Sequence, residues 1–168
     1  MHVLERSTSL AAPIAEVFPF FQDPRNLAKI TPEWMRFDVV HIDDGEMRRG
    51  FEIVYRIKWM GVGLRWITRI TEYDPPHRFL DVQVEGPYKL WRHEHTFEET
   101  PSGTIMRDVV RYELPFGILG DVAHRLIVER QLRRIFDHRA HRIARLFAAQ
   151  GTAPAPVAAP LTDRPEEP

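Results

Sequence analysis

Between residues 35 and 114 the chain alternates apolar and polar residues with a period of two, in six successive segments separated by turn-forming residues. In 35–42, Met35, Phe37 and Val39 share one side. In 51–59, Phe51, Ile53, Tyr55, Ile57 and Trp59 oppose Glu52, Arg56 and Lys58. In 64–72, Leu64, Trp66, Thr68 and Ile70 oppose Arg65 and Arg69. Segments 79–85, 90–98 and 104–114 continue the pattern. The breaks are Asp43-Asp44-Gly45, Gly61-Val62-Gly63, Asp74-Pro75-Pro76, Gly86-Pro87 and Pro101-Ser102-Gly103, all turn chemistry. Such a run folds as an antiparallel meander with one dry face and one wet face.

The period then changes. Over 120–149, Val122, Leu126, Leu132, Ile135, Phe136, Ala140, Ile143, Leu146 and Phe147 trace a helical stripe. Thirty helical residues make a rod of about 45 Å. The only large apolar surface left to receive its stripe is the dry face of the sheet. Before the meander, residues 2–10 read as a first strand. Pro13 opens a helix carrying Ile14, Val17, Phe18 and Phe21, and Asp23-Pro24 starts a second short helix through Leu27 and Ile30. The predicted class is therefore α+β: a curved seven-stranded antiparallel sheet around one long C-terminal helix, with two short helices after strand 1. A cavity is expected where the sheet bends away from the rod.

Residues 1–150 are expected to form this one domain. Residues 151–168 read as a disordered tail, since 152–168 hold five prolines and four alanines in 17 residues. A net charge of −1 argues against a nucleic-acid partner. No stretch approaches the roughly 18 uncharged apolar residues of a membrane span, and residues 1–6 show no signal-peptide pattern, so a cytoplasmic location is expected. Cysteine is absent, which removes thiolate chemistry.

Four strings carry a resemblance: FFQDPRNLAKITPEW (20–34), GPYKLWRHEHTF (86–97), GTIMRDVVRYELPFG (103–117) and LxxIFxxR (132–139). On these the chain resembles the START/SRPBCC superfamily, and within it the bacterial ligand-binding, cyclase/dehydrase-like subgroup. The resemblance spans about residues 2–147. It implies the helix-grip fold. It leaves function open, because members carry lipids, bind hormones or pigments, or cyclise polyketides. It also implies a link to epimerase- or reductase-type proteins, which some subgroup members are joined to or encoded beside. One departure is Pro32-Glu33, where the subgroup often has Pro-Pro.

Chemistry enters through the strand faces. Arg92 and Glu94, and Arg107 and Arg111, need water more than their neighbours do, so His93, His95 and Asp108 are expected on the dry side. A hairpin at Pro101-Ser102-Gly103 would bring them onto neighbouring strands, within hydrogen-bonding range. They then anchor the polar end of a small hydrophobic or aromatic ligand, in a pocket walled by Tyr55, Trp66, Thr68, Trp91, Phe97, Met106 and Tyr112. The same groups would equally make a self-satisfied internal network with nothing bound.

Three functions follow. The first is binding of such a small molecule. The second is a cyclase, isomerase or dehydratase using a His/Asp general base, with Tyr55 or Tyr112 donating to an enolate oxygen. The third is a protein-interaction or regulatory module with a filled interior and an exposed apolar patch. No cofactor is expected. No metal is expected either: His93 and His95 face one way, but His41 is the only spare histidine nearby. The face of 79–85 stays open. Composition favours Leu80, Val82 and Val84 inside, whereas a bulge or a four-residue hairpin at 73–78 would put Phe79, Asp81 and Gln83 there. Arg125, Arg130, Arg133, Arg134, Arg139, Arg142 and Arg145 read as the solvated face of the long helix. The mouth is expected at Gly61–Gly63, residues 115–119 and the second short helix.

Overall fold

A computed structural model describes residues 1–59, 61–115 and 127–148, the side chain of Trp59 excepted. Residues 116–119 of the expected mouth, the expected helix start at 120–126 with Val122 and Leu126, and the tail lie outside the described residues.

The chain begins with β1 (His2–Leu10) and turns into α1 (Ile14–Gln22). Pro13 supplies the carbonyl that receives the Glu16 and Val17 amides, so the helix starts where its missing N–H costs nothing. Asp23 caps the next turn, its Oδ1 accepting from the Arg25 amide at 3.0 Å, and α2 (Leu27–Ile30) follows. The meander comprises β2 (Asp38–Ile42), β3 (Glu52–Trp59), β4 (Val62–Asp74), β5 (Arg78–Glu85), β6 (Leu90–Thr100) and β7 (Gly103–Glu113). Met35 differs from its expected strand position. It ends a 3-10 turn, and Arg36 at φ 42° leads the chain out of it before β2 begins.

All seven strands form one antiparallel sheet in the order β1-β7-β6-β5-β4-β3-β2. The meander thus pairs neighbour with neighbour, and the first strand returns to pair with the last, Leu4 opposite Val110. The C-terminal helix α3 (Glu129–Ala148) buries Leu132, Ile135, Phe136, Ile143 and Phe147. Each such side chain stabilises the fold by about 1.5–3 kcal/mol relative to exposure. Arg6 of β1 reaches Asp137 of α3 at 3.0 Å and ties the helix to one sheet edge. The α+β helix-grip architecture expected from the periodicities is the one observed.

The open question at 79–85 is settled by two irregularities between β4 and β5. One residue of β4, Thr71, is left without a partner between the pairs Ile70–Asp81 and Glu72–Leu80. This bulge shifts the pairing by one, so Asp81 stands opposite inward-facing Ile70. Composition favoured Leu80, Val82 and Val84 on that face, and the bulge overrules it. Gln83 shares the face, but its amide is used locally: Nε2 donates to the Tyr88 carbonyl at 2.7 Å.

Candidate functional site

A pocket of about 150 Å³, partly open to solvent, lies between the sheet, α2 and α3. Of the expected wall, Tyr55, Trp66, Thr68, Trp91 and Met106 line it. The Trp66 indole N–H donates to Thr68 Oγ1 at 3.0 Å, and Trp66 meets Trp91 edge-on with centroids 5.2 Å apart. Leu27 and Ile30 of α2 complete one end, as expected for the second short helix; Gly61–Gly63 are not among the lining residues. Tyr112 and Phe97 are corrections. Tyr112 is buried but does not line the pocket; it packs against Tyr88 and Trp91, which do. Phe97 is taken up by Phe18, Phe21 and Phe79 in the aromatic cluster beneath α1.

The polar floor is His93, His95, Asp108 and Asp81. The first three are 4%, 6% and 8% exposed. His93 Nε2 lies 2.9 Å from Asp108 Oδ1, and His95 Nε2 lies 3.1 Å from Asp81 Oδ2. His95 Nδ1 also approaches Asp108 Oδ1 to 3.0 Å, without hydrogen-bond alignment, so that contact is electrostatic only. The two imidazoles overlap with centroids 3.7 Å apart. Phe79 stacks on the outer face of His95 at 4.2 Å, and Phe136 of α3 closes on His93 at 5.4 Å. The cluster is walled by aromatic rings on both sides.

Burial and charge give the four groups different roles. Burial raises the energy of an ionised Asp108, but His93 and His95 beside it outweigh this and hold its carboxyl well below the usual range. Burial presses the His93 imidazole below its ordinary value, the neighbouring His95 charge adds to this, and the carboxylates do not reverse it. Burial works downward on His95 too, yet Asp108 and Asp81 together hold it above its ordinary value. The cluster therefore favours the charge on His95, between two carboxylates, and the neutral form on His93 beside it. Asp108, being ionised, can only accept, so His93 Nε2 carries the hydrogen and Nδ1 is left as the basic nitrogen. Burial, with the Asp81 charge, pushes the Tyr55 phenol up and keeps it protonated.

A family profile described as polyketide cyclase/dehydrase and lipid transport matches residues 10–139. The chain belongs to that family. Solved structures of family-like shape include a protein from Mycobacterium smegmatis (22% identity, 89% of this chain and 92% of that one, TM-score 0.65). Another comes from Rhizobium leguminosarum (20% identity, 90% and 97%, TM-score 0.66). A START superfamily protein from Mycobacterium smegmatis aligns at 12% identity over 90% and 100% with a TM-score of 0.63. At these identities the likeness establishes the fold. No curated protein matches the chain. The family description spans reaction and transport, so membership does not choose between catalysis and carriage; the site must.

Among the lining residues, Arg139 departs from the place the sequence assigns it. It lines the pocket instead of joining the solvated arginine face. The signal was present: 132, 136, 139 and 143 fall on one helical stripe, and Arg139 ends the LxxIFxxR string. Its guanidinium carbon lies 5.4 Å from the Phe136 ring centroid, and burial pushes its titration down against the charges of Asp108 and Asp81. As for metals, Asp81, His93 and His95 offer donor atoms within 4.8 Å of one another. Coordination would require His95 Nε2 to give up its proton and its hydrogen bond to Asp81, and Arg139, which lines the same pocket, opposes a second cation. Among the described residues no helix is long and apolar enough to cross a membrane.

Proposed function

We propose that the protein binds a small hydrophobic or aromatic molecule between sheet and helix, in the cytoplasm, with the ligand's polar end on His93, His95, Asp108 and Asp81. The observation carrying this reading is one pocket with aromatic and aliphatic walls and a buried, charged floor. A pocket of about 150 Å³ accepts at least one aromatic ring, judged by the similar cavity volume that holds benzene in an engineered protein, and its partly open side leaves room for a guest to extend outward. The interaction-module reading needs a filled interior and a contiguous exposed apolar patch, and the pocket speaks against the first. Native mass spectrometry of protein taken directly from producing cells tests the proposal. A co-purifying small molecule, or uptake of added naphthalene derivatives at one per chain, is the expected result. Absence of both overturns it.

A specific observation also favours a catalytic reading. His93 is a neutral imidazole oriented by a carboxylate, the arrangement a general base requires. Proton abstraction beside a carbonyl, as in a cyclase, isomerase or dehydratase, is the matching reaction class, with the protonated Tyr55 phenol as a donor to the developing enolate. Tyr112, the other donor considered, is off the pocket. The two readings separate on a pH–rate profile with a candidate β-polyketone. Turnover unchanged in His93→Ala and Asp108→Asn removes catalysis by this group.

A further inference from the structure

Arg139 occupies a position that its neighbours on α3 use for burial, one turn from Phe136 and one turn from Ile143. Other arginines of the protein find carboxylates: Arg133 meets Glu129 at 2.6 Å, Arg107 meets Glu98 at 2.9 Å and Arg65 meets Glu85 at 3.2 Å. Among the described residues no carboxylate is in ion-pair contact with Arg139; its neighbour is the Phe136 ring. A guanidinium has five donors in a planar fork that matches a two-oxygen acceptor. Here that fork sits at the wall of a pocket with room for a guest, half-buried and without its complement.

Resting on the binding reading above, we propose that the guest's polar end is an acid, a carboxylate or an acidic phenol or enol, held by Arg139 as its counter-ion, and that His93 takes up a proton as the acid binds. The charge count leads there. The carboxylates of Asp81 and Asp108 are balanced by the His95 imidazolium and the Arg139 guanidinium. An acid anion adds one negative charge to a site already neutral. The charged and titratable groups around His93 are Asp81 on β5, His95 on β6, Asp108 on β7 and Arg139 on α3. Of these rings and acids only His93 has a basic nitrogen to spare. Its Nε2 is engaged by Asp108, while Nδ1 lies 3.7 Å from Asp81 Oδ2, whose charge would favour a proton taken up there from solvent. A cationic amine would meet two positive charges, and a neutral alcohol would leave the guanidinium fork unmatched.

The test is isothermal titration of the full chain near pH 7 with 2-naphthoate and 2-naphthalenemethanol, each in two buffers of different ionisation enthalpy. The acid is expected to bind at least about tenfold more tightly than the alcohol. Its apparent enthalpy should change between buffers in the sense of proton uptake, up to one proton per site, and the alcohol's should not. In Arg139→Met, which keeps length and apolar contact, the preference should fall below about threefold while the alcohol still binds, which also reports a folded pocket. Equal affinity of acid and alcohol in the wild type overturns the acid assignment and leaves the binding reading standing. Preference for the acid without proton uptake overturns the part given to His93. Binding of neither probe overturns both readings.

Discussion

Asp108 stands directly across the β6–β7 ladder from His95 yet hydrogen-bonds His93, 2.9 Å away on the diagonal. Asp81 mirrors it on the other side: it is opposite His93 and hydrogen-bonds His95 at 3.1 Å. Each carboxylate is thus opposite one imidazole and bonded to the other. Three strands are cross-linked through side chains at the level where the pocket floor lies, and neither histidine can turn without losing a buried acceptor.

Removing one carboxylate should therefore be costly. Asp108→Asn is expected to lose about 3 kcal/mol or more of unfolding free energy, because it leaves an imidazolium buried against a neutral amide. Asp137→Asn, which breaks the more exposed Arg6 pair, should cost within about 1 kcal/mol. Urea midpoints of both variants check the contrast, and equal losses would contradict it.

The two histidines should shape stability against pH in opposite senses. His93 titrates low in the folded protein. Below the ordinary histidine value of about 6.5 the unfolded chain binds the extra proton first, so stability rises with pH up to that point. His95 titrates high. Its contribution is complete below about 6.5 and is lost as pH rises through its folded value. A maximum near pH 6.5 is expected in denaturation midpoints measured from about pH 5 to about pH 8. His95→Asn should flatten the alkaline limb and His93→Asn the acid limb. An alkaline limb that survives in His95→Asn would refute the assignment.

Ligand entry should be visible in fluorescence. Trp66 and Trp91 line the pocket and touch each other, so an aromatic guest between them and Phe136 must alter their emission. Saturable quenching by 2-naphthoate is expected, reduced by about half in Trp91→Phe. Quenching that is linear in ligand and never saturates would indicate collisions at the surface.

One glycine is expected to be irreplaceable. Gly103 at φ 133° opens β7, and a Cβ there would lie 2.0 Å from the Leu10 carbonyl oxygen and 3.0 Å from the Ala12 amide nitrogen. Gly103→Ala should cost at least about 2 kcal/mol, since backbone and not a flexible side chain must give way. Gly63→Ala, with nothing within 4 Å, should stay within about 0.5 kcal/mol. Thermal melts of the pair decide it.

Much of this was readable from residues alone, for identifiable reasons. Period-two alternation reports which side chains share a face, so His93, His95 and Asp108 could be placed together before any coordinates, and they lie together. It reports nothing about register across a bulge, because an unpaired residue such as Thr71 leaves no mark in the alternation of its own strand; Asp81 was open for that reason. Tyr112 has the parity of a pocket residue but lies too far along β7, where Tyr88 and Trp91 occupy the pocket side. Arg139 was misplaced because charge was weighed above position: an arginine inside an apolar stripe is a departure from amphipathicity, and such departures gather at sites.

Thr71 also bears on how this chain could change its chemistry over evolutionary time. Its loss would alter β4 alone, because the face of each β5 residue is fixed by unbroken pairing with β6, Asp81 opposite His93 and Phe79 opposite His95. Without the extra residue, Glu72 would follow Ile70 directly, and the pairs Glu72–Leu80 and Ile70–Asp81 would continue in step with Asp81 still inward. A one-codon loss would then straighten the β4 ladder and leave the acid at the pocket floor, so that a hydrocarbon there takes a substitution at Asp81 itself.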